Sequence, residues 1–346
     1  MKFRMRKKET KMKVSILDQA PIASGQTARE ALLDSLKLAK AGEELGYIRY
    51  WIAEHHDLSG LACSAPEVML SYLGANTNQI RLGAGAVLLP HYKPYKVAEV
   101  YNLLATLFPG RIDIGIGRAP GGSAEATNAL SDNYLQQVWK MPELVTDLLH
   151  FLDDDYVTDN EHATLSASPI PEIAPEPWLL GTGKKSAELA AKKGLPYAFG
   201  QFMSESDGET IVNHYREMFS PRKTGDRSQV ILTVSVICAE SREKAEEIAL
   251  SSLVWGLQKE KGLGKQGVPS IKEAKEYPLT EKELDAIEKQ KQTMIIGNPQ
   301  EVASKLRTLQ SLYQADELML VTITNSLEDR IESYRLVMEE LKKLSR

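Results

Sequence analysis

Short apolar runs recur along this chain, each followed by a loop and then by a stretch with helical spacing. Residues 13–18, 50–53, 81–89 and 112–116 read as strands, and 178–180, 195–199, 230–238 and 317–322 continue the series. Between the first two, Leu32, Leu33, Leu36 and Ala39 recur at helical spacing behind Thr27, with Glu30 placed to complete a capping box. Residues 66–76, 97–107, 134–152, 185–193, 209–219, 243–257, 299–309 and 327–344 repeat the helical pattern. The strands are almost continuously apolar, as parallel strands buried on both faces are. Eight of them alternating with helices predict a closed (β/α)8 TIM barrel rather than an open sheet.

On this reading residues 13–346 form a single barrel domain behind a flexible N-terminal tail, 1–12. Two stretches lie outside the rhythm: 153–176, acidic and proline-containing, and 259–292, rich in Lys, Glu and Gly. Both read as insertions, and the second fits either a solvated mobile segment or a lid over the site.

Composition narrows the class. The chain has 346 residues, 42% hydrophobic and 26% charged, with a net charge of −5. That balance points to neither nucleic acid nor an anionic membrane surface. No apolar run has the length of a membrane span, and the basic start, MKFRMRKKETK, has no apolar core of a secretory signal behind it. The two cysteines, Cys63 and Cys238, sit in or beside apolar runs, which fits a reducing cytoplasm.

In a barrel of this kind the chemistry lies at the C-terminal strand ends. Those ends offer Asp18 and Gln19, then Glu54-His55-His56, then Gly85, Ala86 and His91, then Arg118, then Gly181-Thr182-Gly183 with Ser186. The stretch PGRIDIGIGRAPGG runs from a strand into a glycine-rich turn with one cation, Arg118, able to fork onto a phosphate or carboxylate. Its glycine spacing, G-x-G-x-x-x-G, is one residue too long for a dinucleotide fingerprint. Lys185-Ser186 opens a helix whose free amides and dipole suit a phosphate. His55 and His56 are adjacent on extended chain and should point opposite ways, so one of them faces the mouth. The six histidines are scattered without a ligand spacing, and no metal site is expected.

Several segments resemble the bacterial luciferase-like flavin-dependent monooxygenase family: WIAEHHDLSGLACSAPEVML, IRLGAGAVLLPHYKPYKVAEVYNLLATLFPGRIDIGIGRAPG, LLGTGKKSAELAAKKGLPYAFG, MIIGNPQEVASKLRTL and ADELMLVT. The similarity is greatest to its single-subunit-type branch. The resemblance implies a barrel that takes FMN, reduced by a separate flavin reductase, and uses it with O2 on a small organic substrate. It places the catalytic histidine on His55 and the phosphate arginine on Arg118. It places the phosphate turn on Thr182-Gly183, with the helix-opening hydroxyl on Ser186, and a non-proline cis peptide under the flavin at Gly85–Ala86. It also implies a homodimer through the 66–76 and 97–107 helices. Two positions depart from the family pattern: His91 stands where relatives often carry Asn, and Gly183 where many carry Ser. A deazaflavin-dependent dehydrogenase and a non-catalytic flavin-binding protein share the fold; His55 and the 259–292 segment favour an enzyme.

Overall fold

The computed structural model describes residues 12–158, 165–204 and 206–344. The tail expected at the N-terminus therefore lies outside the described residues up to position 11, as do 159–164 of the first insertion. Met12 already packs against the core.

Among the described residues nine strands form: β1 Val14–Asp18, β2 Arg49–Ile52, β3 Arg81–Leu88, β4 Ile112–Gly117, β5 Glu176–Gly181, β6 Tyr197–Gly200, β7 Val230–Cys238, β8 Ile295–Gly297 and β9 Glu317–Val321. All pair in parallel. The order runs β6-β5-β4-β3-β2-β1-β9-β7, and a β6–β7 pairing closes the ring. This is the expected (β/α)8 barrel. The strand β8 is extra. It pairs only with the far end of β7, Val236 to Cys238, and stands outside the ring. Its brevity hid it in the sequence, where Ile295 and Ile296 follow a long polar run.

Side chains, not solvent, fill the barrel. Leu17, Trp51, Ala53, Trp178, Ala198, Ile231, Met319 and Val321 form an inner cluster. Trp51 and Trp178 meet edge to face with centroids 5.9 Å apart. Gly83 makes room for them, since a Cβ there would come within 2.6 Å of the Trp51 indole. Truncating a tryptophan so packed costs about 3–5 kcal/mol. Below it, at the N-terminal strand ends, buried charges are matched one to another. Arg49 reaches Asp113 at 2.9 Å and Glu317 at 3.1 Å, and stacks on Trp178. Arg81 also binds Asp113, and the Trp51 indole N–H donates to the same carboxylate at 2.9 Å.

The helices follow the pattern with instructive exceptions. Thr27 and Glu30 form the expected capping box, and the helix Ala28–Leu45 ends at Gly46 with φ 89°. The single helix read over 134–152 is two, Tyr134–Trp139 and Met141–Asp153. Pro142 sits in the first turn of the second, where its missing N–H costs nothing, and so marks a start rather than an interior. A short helix, Ala124–Leu130, capped by Ser123, precedes them. In the 259–292 stretch the helix Arg242–Glu260 runs on into the segment, followed by Ile271–Glu276 and Glu281–Thr293. Its middle is tied to the barrel mouth at Val268, which exchanges main-chain bonds with Ile22 and Ser24 at 2.8 Å and accepts from the Asn325 amide at 2.8 Å.

Candidate active site at the C-terminal mouth

The strand ends enclose a cavity of about 320 Å³. His55, Gly85, Ala86, Arg118, Thr182 and Ser186, the residues singled out from the sequence, all line it, together with Leu17, Ala53, Leu180, Ala198 and Phe202. The floor is small and apolar. Gly85 and Ala86 join through a cis peptide, and a Cβ at Gly117 would come within 2.8 Å of the Ala86 methyl.

His55 and His56 do point apart, because the main chain between them is held on both sides. The His55 N–H donates to the Cys63 carbonyl at 2.9 Å, and the His56 N–H to the Gly121 carbonyl at 2.8 Å. Gly122 pairs with His56 so closely that a Cβ there would collide with the His56 carbonyl. The His56 Nε2–H donates to the buried Glu54 carboxylate at 2.8 Å. Glu54 also accepts from the Tyr92 hydroxyl at 2.6 Å and from the Leu88 N–H at 3.1 Å. That carboxylate ties the end of β2 to the end of β3. Burial, with the Glu54 charge beside it, pushes the Tyr92 hydroxyl well above its usual range and keeps it a donor.

His55 faces the cavity. Its Nδ1 is buried without a partner among the described residues. Burial first, then the Lys259 charge and His56, pull its pKa down to about 4, so the ring is neutral at pH 7. A neutral imidazole donates from one nitrogen and accepts at the other. The Lys259 ammonium rests 3.7 Å over the Trp255 ring.

The cavity lining also includes a cation. Arg118 is exposed at the rim and meets no carboxylate among the described residues. Beside it the helix Lys184–Lys192 begins at Gly183. Its first amides, Lys184 and Lys185, have no preceding turn to bond to. Gly183 does not line the cavity itself; it caps the helix, and a Cβ there would meet nothing within 4 Å. The Ser186 hydroxyl is already engaged, donating to the Gly183 carbonyl at 2.7 Å. With its one proton so placed, it accepts from Tyr197 at 2.9 Å. Ser186 thus shapes the turn, and Tyr197, raised to about 12 by burial, supports it. Sequence reasoning missed Tyr197, Tyr92 and Tyr134, and took Glu54 only as a neighbour of His55. Tyr92 stands next to the recognisable Leu-Pro-His, but Tyr134 carries no local signal. Among the described residues no three metal-binding side chains cluster, and no helix is long and apolar enough to cross a membrane.

Small apolar residues, a cation without a carboxylate partner and a neutral imidazole thus line one cavity at the C-terminal strand ends, where barrel enzymes carry their chemistry. The luciferase-like monooxygenase profile matches residues 12–315, and the chain belongs to that family. The N-acetyl-S-alkylcysteine monooxygenase of Bacillus subtilis (strain 168) is 38% identical over 328 residues, covering 94% of this chain and 97% of its own. The crystal structure of apo-MsnO8 superposes with a TM-score of 0.87 at 32% identity, covering 96% of this chain and 98% of that one. Two remoter structures share the fold alone. One is a Baeyer-Villiger 3,6-diketocamphane monooxygenase component in complex with FMN, at TM-score 0.71 and 18% identity. The other is an F420-dependent secondary alcohol dehydrogenase with an F420-acetone adduct, at TM-score 0.66 and 13% identity.

Proposed function

We propose that this enzyme is an FMN-dependent monooxygenase that receives reduced flavin from a separate reductase and uses O2 to oxidise a small organic substrate. The observation that carries the reading is that Arg118 and His55 line one cavity, the first without a carboxylate partner and the second neutral with a free nitrogen. The residues fit a flavin. Gly85, Ala86 and Gly117 leave room for a flat ring, Arg118 and the Lys184–Lys192 helix start suit a single phosphate, and His55 lines the same cavity.

Reduced flavin supplies the electrons that activate oxygen. The chain's own residues do the rest. Leu17, Ala53, Ala198 and Phe202, which line the cavity, would exclude water from a bound flavin. His55 holds or accepts a proton at Nδ1, and its neutral state makes it a hydrogen-bond partner and weak base rather than a resident acid. No dinucleotide fingerprint accompanies the site, so pyridine-nucleotide oxidation belongs to the reductase.

A deazaflavin-dependent dehydrogenase is the second reading, since that cofactor occurs on the same fold. A non-catalytic flavin carrier is a third, disfavoured by His55. One titration separates them: FMN, reduced FMN, riboflavin and deazaflavin are added anaerobically and binding is read by fluorescence quenching. The proposal expects reduced FMN to bind well and riboflavin more weakly. Riboflavin binding as tightly as FMN sinks the phosphate assignment, and preferential deazaflavin binding favours the dehydrogenase.

A homodimer is proposed as well. Val68 and Tyr72 on the helix Pro66–Gly74, and Leu103 and Leu107 on the helix Pro94–Leu107, turn large apolar groups outward at i, i+4 spacing. Sedimentation at micromolar concentration should give the dimer mass; a monomer refutes it. Both cysteines are free and buried, which suits a reducing cytoplasm.

A further inference from the structure

The loop carrying Arg118 leaves β4 without regular structure, and its neighbours hold it. The Tyr134 hydroxyl donates to the Arg118 carbonyl at 2.7 Å. His91 Nε2 lies 2.9 Å from the Pro120 carbonyl. A carbonyl only accepts, so His91 is the Nε2–H tautomer and donates. The same imidazole stacks on Tyr134, with centroids 4.8 Å apart and planes at 24°. One buried side chain at the end of β3 therefore grips the Arg118 loop twice, directly at Pro120 and through Tyr134. On its far side His91 meets His56 edge to face at 6.1 Å, so the grip is anchored on the Glu54 cluster.

We propose that His91 is a positioning residue for Arg118, holding the loop so that the guanidinium is aimed at the phosphate end of the cavity. This rests on the reading of Arg118 as the phosphate partner. The physical reason is preorganisation. Beyond Pro120 the main chain is already pinned to His56 at Gly121 and Gly122, so the stretch left for His91 and Tyr134 to hold is Arg118 to Pro120. An arginine on an unanchored loop must order main chain and side chain together when it binds. A loop fixed beforehand leaves only the side chain to order, and the saving appears as affinity. Neither His91 nor Tyr134 lines the cavity, so both act through the loop, and of its lining residues Arg118, Ala119 and Gly121 only the arginine carries a charge for a phosphate.

The test compares dissociation constants for FMN and riboflavin, with melting temperature as a control. His91→Phe keeps a ring to stack on Tyr134 but cannot donate to Pro120; His91→Gln can donate but cannot stack. Arg118→Ala should lower the preference for FMN over riboflavin about tenfold or more, the helix start keeping the remainder. His91→Phe should lower that preference about fivefold or more, with riboflavin affinity unchanged. His91→Gln should recover part of the loss. In the Arg118→Ala background His91→Phe should change nothing further, since it acts through the arginine. In the ligand-free protein, amide exchange at Arg118 and Ala119 should quicken in His91→Phe. Parallel weakening of both ligands, an unchanged preference, or losses that multiply in the double variant each overturn the proposal. If Arg118→Ala itself keeps the FMN preference, the phosphate reading falls first and takes this one with it. If Arg118→Ala lowers the preference and His91→Phe keeps it, only the role of His91 is refuted.

Discussion

At the N-terminal end of the barrel Arg49 reaches Glu317, Asp113 and Glu176, while Arg81 takes the other side of Asp113. At the C-terminal mouth Arg118 meets no carboxylate, and the Nδ1 atoms of His55 and His91 have no partner among the described residues. Both ends are lined by ionisable side chains on the same strands. The difference lies in saturation. A buried charge network with every member matched has no reach left for a ligand, and breaking it is expensive. Polar groups left open at the other end cost stability there and are the ones able to bind something else. The same contrast separates Glu54 from His55, adjacent in sequence. The carboxylate has three donors and cross-links two strand ends, while the imidazole keeps a nitrogen for the cavity.

Breaking the closed end should give the largest effect. Asp113→Ala takes the carboxylate that Arg49 and Arg81 share, leaving them Glu317 and Glu176, and strands the Trp51 indole N–H, at a cost of about 3–5 kcal/mol. Urea unfolding should show the loss, with FMN affinity unchanged below the transition. Equal damage to FMN affinity would deny the division of labour between the two ends.

The open end contributes to stability with a pH signature. His55 titrates at about 4 in the folded protein, against about 6.5 for the unperturbed group. Between those values the unfolded chain takes up a proton that the folded one refuses. Stability present above pH 6.5 is therefore lost as pH falls toward 4, by at most about 3 kcal/mol. His55→Gln should flatten this part of the profile in urea titrations run across the range. A profile identical to wild type would mean that the imidazole is not held neutral.

Arg118→Ala should weaken FMN binding by about 1.5–3 kcal/mol, as for a lost hydrogen bond to a charged group, and leave the unfolding midpoint alone. Arg118→Lys should recover only part, because the planar fork is gone. Fluorescence titration measures both.

Most of this frame was legible before the fold was known, for a physical reason. Buried parallel strands must be apolar throughout, so β1 to β7 and β9 announced themselves, and a barrel puts its chemistry at their C-terminal ends. Arg118 and the Gly183–Ser186 turn could be found by position alone, whereas position left His55 and His56 open and the family resemblance chose His55. What stayed hidden depends on contacts across the mouth. Tyr134 meets His91 across 43 positions of sequence, and Tyr197 meets Ser186 only because β6 lies beside β5. No local pattern encodes such pairs. The break before Pro142 was legible in principle, since proline in a first turn is a start signal, but the apolar spacing on either side masked it. The short strand β8 is too brief to show any period at all.

On the proposed reading the open end handles reduced flavin and oxygen, with His55 as the reacting group's partner. That reading is tested most directly by mixing protein-bound reduced FMN with oxygenated buffer in a stopped-flow instrument. Flavin absorbance and hydrogen peroxide are followed together. The account predicts that wild type delays the return of oxidised FMN and the release of peroxide relative to free flavin. His55→Ala should shorten that delay about 10²-fold or more while binding FMN nearly as well. Wild type reoxidising at the rate of free flavin, or ignoring oxygen while turning over reduced deazaflavin, would contradict the monooxygenase reading. An unchanged delay in His55→Ala would remove His55 from the chemistry.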